Sequence, residues 1–146
     1  MFLLDIFSEV EKYKGNTYEG VLCTMEDKIV KELNEFLEGN YMAIHAYDKF
    51  IHHMDDPIYR DKLQEIQKEH KMHAMQISER IQDLGGIPAD DVGWKGSIAE
   101  FMANMTQSTD GTQPILKDAL SGEQRGIEKS REILQGDLDS ESLELV

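Results

Sequence analysis

Leu33-Asn-Glu-Phe-Leu-Glu-Gly-Asn-Tyr-Met-Ala-Ile-His-Ala-Tyr47 is the stretch whose reading decides the fold. Its apolar positions Leu33, Leu37, Ile44 and Tyr47 continue to Ile51 and Met54 on a three-and-four spacing, with Asn40 standing on the same stripe. That period belongs to an amphipathic helix. Thr24-Met-Glu-Asp27 just upstream has the form of a capping box, so the spacing predicts a helix from about Met25 to Met54. Asp55-Asp56-Pro57 supplies the start of a second helix, an acid to take orphan N–H groups and a proline in the first turn. That helix should stop at Gly85-Gly86, ahead of Pro88, and carry a seam of Leu63, Ile66, His70, His73, Ile77 and Leu84. The short gap between the two makes an antiparallel hairpin.

Downstream the pattern stays helical. Ser97-Ile-Ala-Glu100 is a second capping box opening a short helix, with Ile98, Phe101, Met102 and Met105 on one face. Trp94 is expected to plug a bundle end. A third long helix is predicted from about Pro114 to Gln135, with a seam of Leu116, Leu120, Glu123, Ile127 and Leu134, stopped by Gly136. Asp139-Ser-Glu-Ser can cap one more short helix before Val146. No strand-like alternation is found, and the class is all-α. Residues 1–23, with Phe2, Leu3, Ile6, Phe7 and Val10 on one face, read as an N-terminal extension to a bundle domain of 24–146.

The composition narrows the function. Fifteen Lys and Arg against twenty-nine Asp and Glu give a net charge of −14, which argues against nucleic acid and against anionic membrane. One cysteine, Cys23, excludes an internal disulfide framework. No apolar run approaches the ~20 residues of a membrane span. Met1-Phe-Leu-Leu-Asp-Ile-Phe7 lacks the basic start of a signal peptide, so a cytoplasmic location is expected.

Each of the three long predicted helices nonetheless brings polar groups onto its seam: Asn40 on the first, His70 and His73 on the second, Glu123 on the third. His70 and His73 stand one turn apart. A buried carboxylate must find a partner, and two imidazoles with a carboxylate have two resolutions. One is a hydrogen-bonded network that sets helix register. The other is a divalent metal, since nitrogen and oxygen donors of this kind suit Zn, Fe and Mn. The residues leave both open.

The stretch Leu33–Tyr47, together with His73-Ala74 and the Leu84-Gly-Gly-Ile-Pro88 ending, resembles the ferritin-like superfamily of bacterioferritin- and rubrerythrin-like four-helix bundles. Leu84 through Gly96 to Gly122-Glu123 is more similar to a group of small bacterial ferritin-like proteins of unassigned function. The resemblance implies an antiparallel bundle with a short or truncated fourth helix. It also implies a family pattern of Glu, Glu-x-x-His, Glu and Glu-x-x-His ligands. Carried over, the first Glu falls on Asn40 and the second on His70, both departures. The matching positions are His73 and Glu123. The final motif has no counterpart, as Glu141 and Glu144 lie too early. The resemblance therefore implies a degenerate site for a single metal (Fe, Zn or Mn), with His70, His73 and Glu123 as ligands and Asn40 orienting a water or a histidine. Two alternatives stand beside it. One is an interaction module without metal. The other is an iron- or oxygen-handling oxidase completed across a dimer by residues such as Glu38 and Glu69. A homo-oligomer is expected, with the N-terminal extension available to another protein.

Overall fold

The computed structural model describes residues 19–90 and 111–146, with side chains from residue 25 onward. Every regular element among them is a helix: α1 (Glu19–His53), α2 (Pro57–Asp83), α3 (Thr112–Ile133) and α4 (Ser140–Leu143). No helix among the described residues is long and apolar enough to cross a membrane. The face predicted for residues 1–18, the capping box at Ser97 with its apolar face, Trp94 and the Cys23 side chain lie outside what is described.

The α1–α2 hairpin forms as its punctuation dictates. Asp56 N-caps α2, its Oδ1 accepting from Ile58 N at 2.9 Å, with Pro57 in the first turn. At the other end Gly85 takes φ +76°, a conformation that costs a glycine nothing, and Gly86 N donates to Ile81 O at 2.8 Å. The chain then turns back onto α1, where Asn34 clamps it. Its Nδ2 donates to Ile87 O at 3.1 Å and its Oδ1 accepts from Ala89 N at 2.6 Å. α1 begins at Glu19, earlier than predicted, so Thr24 lies inside the helix and not at its cap.

Two apolar clusters hold the hairpin. Ile29, Leu33, Leu37 and Ile44 pack on Ala74, Ile77 and Ile81 toward one end. Ala46, Tyr47, Phe50 and Met54 pack on Leu63, Ile115 and Ala119 toward the other. α3 lies mainly against α1. The tail after α3 is fastened back to the hairpin by polar contacts. Arg80, 13% exposed, reaches Asp139 at 2.7 Å and Glu141 at 2.8 Å, while Lys28 meets Asp137 at 3.2 Å. Asp139 caps α4 by accepting from Ser142 N at 2.8 Å, as its sequence position predicted.

Two predicted seams are rotated in the fold. The buried line of α2 is Leu63, Gln67, Ala74, Ile77 and Ile81, so Ala74 takes the inward place assigned to His73. On α3 the buried residues are Ile115, Ala119 and Ile133, while Leu120, Ile127 and Leu134 are exposed. Neighbouring positions on a helix stand about 100° apart, so choosing the adjacent residue turns the whole face. Both true seams use small or amide residues inward, which an apolar count passes over.

Candidate functional site

Between the two apolar clusters the hairpin carries a polar layer, and three of the four predicted site residues meet in it. Asn40 is buried at 6% exposure. Its Nδ2 donates to Phe36 O at 3.0 Å, which leaves Oδ1 to face His70 Nδ1 at 3.1 Å. His70 Nε2 lies 3.1 Å from Glu123 Oε1. The same carboxylate oxygen accepts from the Tyr47 hydroxyl at 2.7 Å. The chain of contacts is thus Asn40–His70–Glu123–Tyr47, spanning α1, α2 and α3. Both ring nitrogens of His70 face acceptors, an arrangement in which the imidazolium form donates twice.

The electrostatics follow from these contacts. The hydrogen bond from His70 holds the Glu123 carboxyl below its ordinary value; the Tyr47 hydroxyl acts in the same sense and partial burial opposes both. Burial, reinforced by the hydrogen bond to Glu123 and its charge, pushes the Tyr47 phenol well above its ordinary range. Tyr47 is locked further by its ring, edge-on to Phe50 at 5.6 Å and tilted against His70 at 5.7 Å. Sequence reading placed Tyr47 on the apolar seam. Its signal as a site residue was its hydroxyl, which needs a partner when buried.

This layer floors a cavity of about 420 Å³ between α1, α2 and α3. Phe36, Met42, Ala46, Phe50, Ala119 and Ile133 supply apolar wall, and Asn40, Tyr47, His70 and Glu123 the polar part. Three helix glycines also line it: Gly39 of α1 and Gly122 and Gly126 of α3. A Cβ built on any of the three would find nothing within 4 Å. The glycines are therefore not there to let backbones touch. They leave the cavity wider than alanine would.

His73 lines the same cavity but is exposed, and among the described residues it makes no hydrogen bond or ion pair. Of the predicted ligand set the structure joins His70 to Glu123, sets Asn40 behind His70, and leaves His73 one helical position off the buried line. Glu38 is half-buried and Glu69 exposed, and neither lines the cavity. Among the described residues no group of three or more His, Cys, Asp or Glu is placed to hold a metal ion. Buried Gln67, which sequence reading missed, adds to the polar layer by donating to Ile44 O at 3.0 Å and to Asp48.

Comparison with known proteins gives a family and no role. No curated protein and no solved structure matches the chain. A family model does, over residues 28–136, the greater part of the 146 residues and inclusive of the whole α1–α2 hairpin polar layer and Glu123. The chain belongs to that family, described as a domain of unknown function (DUF2383).

Proposed function

We propose that the domain is a small-molecule-binding helical module whose site is the cavity between α1, α2 and α3. One observation carries this reading: Glu123 Oε2 takes no hydrogen bond among the described residues, while Oε1 takes two, in a cavity whose lining surface is mainly apolar. A volume of about 420 Å³ lies within the ~300–1,000 Å³ of ligand pockets, and a few convergent polar groups in an apolar wall are their usual make-up. The cavity-lining glycines support it, since each costs about 1 kcal/mol of helix propensity that no packing contact requires.

The ferritin-like reading of the bundle is kept within this proposal, supported by the hairpin and by the meeting of Asn40, His70 and Glu123 across three helices. A resident metal fits these residues less well. Both nitrogens of His70 and one oxygen of Glu123 are committed to each other, to Asn40 and to Tyr47. The uncommitted donors are His73 and Glu123 Oε2, too few for a closed site.

Octan-1-ol titrated into the isotope-labelled protein tests the binding reading. The expected result is saturable shifts of Phe36, Ala46, Ala119 and Ile133 signals, with about 1.4 kcal/mol of added stability at ten times the Kd. Unchanged spectra up to the solubility limit would count against it. Zinc and manganese titrations run alongside. Stoichiometric binding that is lost in both His73→Ala and Glu123→Gln would return the metal reading to first place.

A further inference from the structure

We propose that the molecule taken by this cavity carries a primary ammonium head on an apolar body, with Glu123 Oε2 as the group that receives the head. The inference rests on the binding reading above and adds the chemistry of the ligand.

It follows from an inventory of the floor. Every donor in the Asn40–His70–Glu123–Tyr47 chain is already committed; His73, elsewhere on the cavity lining, has no partner among the described residues. The Tyr47 hydroxyl and His70 Nε2 both point at Glu123 Oε1, His70 Nδ1 points at Asn40 Oδ1, and Asn40 Nδ2 is held by Phe36 O. The spare group is an acceptor, Glu123 Oε2. A carboxylate-headed ligand would find no free donor within that chain of contacts and would bring like charge toward Glu123. An alcohol could donate one hydrogen bond to the carboxylate. An ammonium donates one as well and adds the attraction of opposite charges, an ion pair in place of an ion–dipole contact.

The surroundings favour the same head. Lys129 at the cavity edge is engaged by Glu132 at 3.3 Å and Glu35 at 3.9 Å, and Arg125 donates to Ser121 at 3.1 Å. Both cations line the cavity and have partners of their own. The chain as a whole carries −14, a field that concentrates cations at its surface. The apolar wall then sets the body: Phe36, Ala46, Phe50, Ala119 and Ile133 offer no polar side-chain atom to a ligand, so an alkyl or aryl chain fits against them.

Three probes with one tail separate the alternatives: octylamine, octan-1-ol and octanoate, titrated calorimetrically at neutral pH. Octylamine should bind about tenfold more tightly than octan-1-ol, as the ion pair adds to the hydrogen bond that both heads donate, with octanoate weakest. Glu123→Gln should bring amine and alcohol to within about twofold of each other, the ion pair being gone. Glu123→Asp, which keeps the charge and retracts it by one methylene, covers the case in which the glutamine variant does not fold and should lose part of the preference. Gly126→Leu should remove binding of amine and alcohol alike by filling the wall. The amine preference should persist at about 0.5 M salt, where non-specific attraction to the acidic surface is screened.

Octanoate binding as tightly as octylamine would overturn the proposal. So would an amine preference that survives both Glu123 variants. Equal binding of amine and alcohol to the wild type would sink the ammonium assignment and leave the binding module standing. Failure of all three probes would remove the binding module itself.

Discussion

Gly122→Ala and Gly126→Ala should each make the protein more stable while weakening what it binds. Neither glycine has a positive φ, and a Cβ at either meets nothing within 4 Å, so alanine introduces no strain. The gain is the helix propensity difference, about 1 kcal/mol at each position. For a chain of this size that amounts to roughly 4 °C in Tm. The two sites are one turn apart on α3 without a shared side-chain partner, so the double variant should approach about 2 kcal/mol. Octan-1-ol affinity should fall with each added methyl, because both methyls enter the cavity wall. Denaturant melts paired with the alcohol titration measure both effects on one sample. Gly86→Ala is the internal control: its Cβ would stand 2.6 Å from Val30 Cγ1, so overpacking should destabilise by about 1–3 kcal/mol. Destabilisation by Gly122→Ala or Gly126→Ala comparable to the control would mean that α3 packs more closely than described. The case for a cavity held open by glycine would then fail.

Other outcomes follow from the polar layer and the tail. Glu123 has its folded pKa below the ordinary value near 4.5, so the stability it contributes is present above that pH and is lost as the pH falls through the folded value. Urea melts of Glu123→Gln should lose this part of the acid-side slope; a slope identical to wild type would contradict the His70 contact. Tyr47 is shifted upward, so its contribution is complete below about pH 10 and declines as the pH rises beyond it. In a spectrophotometric titration one of the five tyrosines should resist ionisation until alkaline unfolding, and Tyr47→Phe should abolish that fraction. Arg80→Ala removes the anchor of Asp139, Glu141 and Ser142 and should cost about 1–2 kcal/mol, with faster hydrogen exchange in residues 137–146, extending into α3 and sparing the hairpin. Protection in that segment equal to wild type would show that its apolar contacts hold it alone.

Much of the hairpin was legible because its signals are local. Asp56 with Pro57, Gly85 with Gly86, and the Leu33-to-Tyr47 stripe each act within a few residues, and each does in the fold what its chemistry predicts. The polar layer was legible in outline, since Asn40, His70 and Glu123 interrupt apolar seams. What failed was the angular setting of two helices. On α2, Gln67 and Ala74 face inward, and only the partner helix decides that an amide and a methyl belong there. The error carried His73 inward on paper, where the fold leaves it exposed. On α3, Leu120, Ile127 and Leu134 are larger than the Ile115, Ala119 and Ile133 set taken together with Gly122, so an apolar count selects the wrong face. Tyr47 and the cavity were hidden for a related reason. A void is made by residues that are small, and its floor by groups whose partners come from other helices.

The tail's fastening has a kinetic side. The hairpin joins residues near in sequence, whereas Lys28 and Glu32 meet Asp137 across 109 and 105 residues respectively. Contacts so distant along the chain form after local ones, because a long loop must close before they contribute. By the same reasoning they are the first to open when the native state fluctuates, leaving α1 and α2 paired. α3 lies between those distant anchors and forms one wall of the cavity. Brief release of the tail would therefore loosen that wall without melting the hairpin. A molecule held in the cavity as proposed would then enter and leave more readily when the Arg80 and Asp137 contacts are weakened, some way from Glu123.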